Sequence, residues 1–186
     1  MRIALKPHPC CPAPAVARVD VDVRRSSKER LDLRYRVEGD LNRIEIAPRN
    51  EGGRADNLWQ ATCFELFLRP VGGTGYAEFN FSPSGRWAAY SFARHREGMS
   101  ELGLSSPPVV TTTRGTHALE TNVALSLEGL QAAGPCLLNF SAILLDKERG
   151  RSFWAVVHPA GEPDFHDPAC FTLELPAPPP GLSPRT

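Results

Sequence analysis

Along most of the chain, apolar and polar side chains alternate one for one. Val19, Val21 and Val23 are interleaved with Asp20, Asp22 and Arg24, and Leu31, Leu33, Tyr35 and Val37 with Asp32, Arg34, Arg36 and Glu38. A period of two turns one face of an extended chain to a core and the other to water, so these segments predict half-buried strands. Ile44 and Ile46 continue the pattern after Gly39-Asp40, a dipeptide suited to a tight turn. Further strands are predicted over residues 63–69, 76–82, 86–93, 109–114, 118–125, 137–145, 151–158 and 171–175. Turn chemistry separates most of them, at Gly72-Gly73-Thr74-Gly75, Pro83-Ser84-Gly85 and Lys147-Glu148-Arg149-Gly150. Helical signals are few. Ser126 can cap a short turn running to Leu130, which Gly129 weakens, and residues 94–102 are a second candidate. Many short strands with turn punctuation predict an all-β fold, a two-sheet antiparallel β-sandwich of immunoglobulin-like or jelly-roll type with one or two short helices.

The ends break the pattern. Prolines 7, 9, 12 and 14 crowd the N-terminal segment, and residues 176–184 are richer still in proline. Proline has no N–H for a sheet ladder, so residues 1–15 and 176–186 are expected to be tails around a folded body at 16–175. The prolines also interrupt any apolar helix of the kind a secretion signal needs.

Composition narrows the partners. The 186 residues carry 21 Lys+Arg against 21 Asp+Glu, so no net field draws the chain to nucleic acid or to an anionic membrane. No stretch approaches the roughly 20 apolar residues that span a bilayer. The expected compartment is the cytoplasm. Cys10, Cys11, Cys63, Cys136 and Cys170 are odd in number and scattered, which argues for reduced, structural thiols.

Strand parity yields a sharper expectation. A hairpin centred on Gly72-Gly73 sets Glu65 opposite Asn80, and one centred on Pro83-Ser84 sets Asn80 opposite Trp87. One face then carries Phe64, Leu66, Leu68, Phe79, Phe81, Tyr90 and Phe92 as core. The other carries Glu65, Phe67, Tyr76, Glu78, Asn80, Trp87 and Ser91. A one-residue slip exchanges the faces. Flat rings beside carboxylates and an amide suit a sugar, whose C–H patches stack on aromatic rings and whose hydroxyls need donors and acceptors. The same residues also fit an ordinary solvated outer face. Two carboxylates raise glycoside hydrolysis, but Glu65 and Glu78 fall diagonal to one another rather than opposite.

Other constellations stay open. The loop from His158 to Asp167 holds His158, Asp164, His166 and Asp167 and reads either as a ligand or metal loop or as a rigid connection bonding its own backbone. Residues 50–61 form a long polar connection ending in Asp56-Asn57-Leu58-Trp59, where Trp59 serves a site or anchors the loop. Trp154 belongs in the core. Haem ligation has Met99 with His95 or His117 to consider, and His95 shares a helical face with Met99 rather than opposing it.

Asp56-Asn57-Leu58-Trp59, then Glu65 between Phe64 and Leu66, then Tyr76 to Trp87 with its Pro83-Ser84-Gly85 turn, resemble the DOMON-like domains, relatives of the family-nine carbohydrate-binding modules. His158 to His166, followed by Phe171 and Leu173, resembles the closing segment of bacterial DOMON-like proteins. The resemblance implies a two-sheet β-sandwich and, as class properties, sugar or haem binding, with structural calcium in the family-nine modules. Trp59 and Glu65 align with the motif; a second stacking ring does not.

The expectation is therefore a non-catalytic domain binding a soluble carbohydrate, with no obligatory cofactor. Its candidate ligand-binding residues are Trp59, Glu65, Tyr76, Glu78, Asn80, Trp87, His158, Asp164 and His166. A haem-binding redox module, a glycoside hydrolase and a protein-interaction module are the alternatives.

Overall fold

The structure is a computed structural model and describes residues 1–130 and 134–175. The predicted tail at 176–186 lies outside them. In chain order the strands are β1 (Arg2–Pro7), β2 (Val16–Ser27), β3 (Arg30–Gly39), β4 (Gly53–Arg54), β5 (Cys63–Pro70), β6 (Tyr76–Phe81), β7 (Arg86–Phe92), β8 (Ser100–Glu101), β9 (Val109–Arg114), β10 (Ala118–Ser126), β11 (Cys136–Asp146), β12 (Gly150–Ala155) and β13 (Leu173–Leu175). The all-β expectation holds among the described residues. The alternating segments at 19–23 and 31–38 become β2 and β3, while Ile44 makes only an isolated bridge to Asp146. The two short-helix candidates are a turn and a turn leading into β8; the helical elements are single 3-10 turns at Leu58–Gln60 and Pro168–Cys170.

The expectation of two separate, purely antiparallel sheets is corrected. The strands follow one path, β4-β7-β6-β5-β11-β12-β1-β2-β3-β10-β9, with β13 on β11 and β8 on β7. β4 lies parallel to β7; every other pair is antiparallel. The join is β1. Its Arg2–Leu5 backbone pairs with β2, and its last residues, Lys6 and Pro7, pair with β12. Composition alone assigns this segment to a tail, yet Leu5 is buried. Pro7 ends the strand, and the next N–H, from His8, still donates to the Phe153 carbonyl of β12 at 2.7 Å.

The sheet curls so that its two halves share one core. Val19, Val21, Leu33, Tyr35 and Val37 from one half meet Phe64, Leu66, Phe79, Phe81 and Phe140 from the other. Tyr35 stacks on Phe64 with ring centroids 4.9 Å apart, and its hydroxyl donates to the Glu65 carbonyl at 2.7 Å. Trp154 joins this core as expected. Gly39 closes β3 at φ 152°, where a Cβ would stand 2.1 Å from the Ala15 carbonyl oxygen, so a larger residue forces the backbone to move.

Behind β5, β6, β11 and β12, on the face away from this core, the segment 156–172 crosses back over the sheet. It buries Phe165 and Phe171 against Phe67, Tyr76, Phe92 and Ile143 in a second, smaller cluster. That cluster is the wall of the site.

Candidate functional site

The first hairpin forms in the predicted register: Glu65 pairs with Asn80, and Phe67 with Glu78. The second does not. Asn80 faces Ala88, and Trp87 faces Phe81. Ser82 N–H donates to the Arg86 carbonyl, leaving Pro83-Ser84-Gly85 as a three-residue loop with Gly85 at φ 97°. The extra residue, allowed by a left-handed glycine, slips the register by one. Trp87 therefore packs against the main core and leaves the site, and Ser91 goes with it. Tyr90 and Phe92, expected in the core, take their place beside Glu78 and Tyr76.

Glu78, Tyr90 and Phe92 line a cavity of about 500 Å³. Its rings are Trp59, Tyr90, Phe92, Phe153 and Phe165, and its polar groups include Glu65, Glu78, Arg96, Arg151 and His166. Trp59 and Met99 stand together at it with 43% and 62% of their surface exposed. The long connection before β5 sets the Trp59 side. The Tyr90 hydroxyl donates to Asp56 at 2.6 Å, and Arg54 pairs with Asp56 and Glu101, which fixes the approach to the Leu58–Gln60 turn. That hydrogen bond holds Asp56 below the usual carboxylate range, and burial pushes Tyr90 up to about 12.

Glu65 and Glu78 form the floor. Glu65 accepts from the Ser141 hydroxyl at 2.8 Å, and Glu78 from the Asn80 amide at 2.6 Å. Burial, then the neighbouring Glu78 charge, pushes Glu65 up to about 8, so it is largely protonated at neutral pH. Burial raises Glu78 as well, against the pull of the Asn80 bond and Arg96. The floor thus offers an acid O–H alongside acceptor oxygens, the mixed capacity that hydroxyl-rich ligands match.

His166 is enclosed by the rings of Phe67, Tyr76 and Phe92. Burial and the Arg96 charge lower it to about 4, so the imidazole is neutral. The Tyr76 oxygen accepts from the Arg96 backbone N–H at 3.2 Å, and its hydroxyl lies 2.8 Å from His166 Nδ1. The other ring nitrogen, Nε2, faces Glu78 Oε2 at 3.6 Å.

Arg96 is held from three sides. Its backbone takes φ 55°, its N–H engages Tyr76, and its guanidinium donates to Asp164 at 2.8 and 3.2 Å. Asp164 also meets His95 at 2.8 Å. Asn57, at φ 60°, is the other non-glycine residue with positive φ among the described residues, and both line the cavity. A left-handed conformation costs a side-chain-bearing residue about 1–2 kcal/mol, so its surroundings must enforce it.

Of the predicted site residues, Trp59, Glu65, Glu78 and His166 line the cavity. Tyr76, Asn80 and Asp164 stand behind it and orient His166, Glu78 and Arg96. Trp87 and His158 are not part of it. His158 bonds the Lys6 carbonyl and meets the His8 ring edge-on, which is the rigid-loop alternative for that residue. Sequence reasoning missed Tyr90, Phe92, Arg96, Arg151, Phe153 and Phe165.

A groove of about 530 Å³ on the opposite half of the sheet is lined by Asp22, Arg30, Asp32 and Arg34. Arg34 pairs with Asp22 and Arg30 with Asp32, Arg24 also lines the groove, and it presents no cluster of rings. Among the described residues no three His, Cys, Asp or Glu side chains gather to hold a metal ion. Met99 lines the cavity, whereas His117, the histidine paired with it in the haem alternative, sits between β9 and β10 and does not.

No family profile and no curated protein matches the chain. Solved structures do. A Bacteroides uniformis ATCC 8492 protein provisionally described as carbohydrate-binding aligns over 92% of this chain and 84% of its own, with a TM-score of 0.66 and 14% identity. A family-nine carbohydrate-binding module from Caldicellulosiruptor kristjanssonii, in complex with cellotriose, aligns over 91% of this chain and 79% of its own, with a TM-score of 0.59 and 10% identity. At this identity the likeness establishes a shared fold.

Proposed function

We propose that the chain is a non-catalytic carbohydrate-binding domain of DOMON-like type that takes a soluble saccharide into the cavity beside Trp59. The observation that carries this is the composition of that cavity. Exposed Trp59 and the rings of Tyr90 and Phe92 supply stacking surfaces, while Glu65, Glu78, His166 and Arg96 converge on the same space with donors and acceptors. The shared fold with a module that binds cellotriose supports it. Trp59 stacks on the apolar face of a sugar ring; Glu78 and His166 take hydroxyls; Glu65, protonated, donates. Five free thiols suit the reducing cytoplasm, where the ligand is a soluble sugar rather than a wall polymer.

The test is a titration with mono- and disaccharides followed by tryptophan fluorescence. Binding is expected to change the emission. Trp59→Ala is expected to weaken affinity at least tenfold, while the melting temperature holds within a few degrees because the residue lies outside both buried clusters. An unresponsive protein, or a Trp59→Ala variant that binds as well as the parent, defeats the proposal.

A second reading, glycoside hydrolysis, has one observation in its favour: a carboxyl raised to about 8 beside a second buried carboxyl, the pattern of a general acid. Aryl glycoside turnover that disappears in both Glu65→Gln and Glu78→Gln favours it. Equal background rates in parent and variants dismiss it.

A further inference from the structure

We infer that the saccharide carries an anionic group, a carboxylate or a phosphate, and that Arg151 receives it at the cavity mouth. This rests on the saccharide reading above and deepens it. The cavity has two guanidinium groups, Arg96 and Arg151, and their situations differ. Arg96 is neutralised by Asp164, which takes two of its N–H groups. Arg151 is exposed and, among the described residues, its side chain makes no ion pair or hydrogen bond; it lies over the Trp59 ring, 5.5 Å from the centroid.

An arginine stacked on a ring keeps its donors. At 5.5 Å from the centroid the Arg151 guanidinium is within cation–π reach of Trp59, a contact that uses none of its five N–H donors, and these form the fork that matches a carboxylate or phosphate. The position is set by the sheet. Phe153 pairs with Ile143 and Arg151 with Leu145, so Arg151 lies two residues along β12 from Phe153, on the same face. A sugar resting near Trp59 with its hydroxyls toward Glu78 therefore has its outer end beside Arg151.

The floor does not oppose an anion at the rim. Glu65 is largely uncharged at neutral pH, and Glu78 lies close to the Arg96 charge that pulls on it. The mouth thus keeps an uncompensated positive group over a floor of reduced negative charge.

The experiment compares glucose, glucuronate and glucose 6-phosphate by calorimetric titration against the parent, Arg151→Gln and Arg151→Lys, with thermal melts confirming that each variant folds. In the parent, at least one anionic sugar is expected to bind tenfold or more tightly than glucose, with the advantage shrinking as salt rises. Tighter binding by both anions gives the shared chemistry; by glucuronate alone, a uronic acid; by the phosphate alone, a sugar phosphate. Arg151→Gln brings the ratio of anionic to neutral affinity to about one, and Arg151→Lys, a charge without the fork, leaves it between. Glucose binding as well as both anions in the parent overturns this inference and leaves the saccharide reading intact. If none of the three binds, this inference fails, and the saccharide reading is decided separately by the mono- and disaccharide titration.

Discussion

A buried carboxyl and a buried imidazole give the site a pH signature. Glu65 has its native value near 8, above the ordinary 4.5, so the folded protein holds a proton there that the unfolded chain releases. Its contribution is complete below the ordinary value and is lost as pH rises through about 8. Glu78 is raised and acts in the same sense. His166 is lowered from 6.5 to about 4, so its contribution is present above 6.5 and lost as pH falls through 4. Between 4.5 and 6.5 the two slopes oppose; above 6.5 the carboxyls act alone. Melting temperature is therefore expected to fall from pH 6.5 to 8.5, and the fall to flatten in Glu65→Gln, as followed by circular dichroism. The parent and the variant declining in parallel would show that Glu65 does not hold a proton in the fold. Asp164→Asn tests the other polar support. Freed from its carboxylate, Arg96 is expected to lose its fixed position, with saccharide affinity falling several-fold in the fluorescence titration.

Turn geometry decides which residues reach the site. The first hairpin was legible, because its glycine-rich turn lies midway between strands whose phenylalanines and leucines fall on one parity. The second turn contains one more residue than a two-residue hairpin, and Gly85 absorbs it in a left-handed conformation. That single residue sends Trp87 inward and brings Tyr90 and Phe92 to the site, a difference that alternation cannot register because both faces of β7 carry aromatics. Arg96, Phe153 and Phe165 escaped for another reason: their place depends on strand order and on the 156–172 segment crossing the sheet, which are long-range facts. The Glu65, Glu78 and Asn80 triplet needed only local parity. At the core, Phe64 is fully buried between Tyr35 and its neighbours, so Phe64→Ala is expected to cost about 3–5 kcal/mol by urea unfolding. A loss under about 1 kcal/mol would mean the halves of the sheet are not packed through this ring.

The whole molecule is one curled sheet whose continuity depends on β1. Its first residues pair with β2 and its last with β12, so this short strand ties the half that carries the outer ion pairs to the half that carries the cavity. Deleting residues 2–7 would expose the edges of both neighbours, and an unpaired edge invites association with another chain. The truncated protein is expected to lose its cooperative melt or to aggregate in size-exclusion chromatography; an unchanged monomeric melt would show that β1 is dispensable. The curl also separates two surfaces of similar size. One groove carries two ion pairs and no aromatic rings, and the cavity on the other half gathers rings around buried acids. The most direct measurement is a map of amide chemical-shift changes on adding a saccharide that binds. The account predicts changes concentrated at Trp59, Glu78, Tyr90, Arg96, Arg151 and His166, with Asp22, Arg30 and Arg34 unmoved; changes centred on the charged groove, with the cavity residues silent, would contradict it.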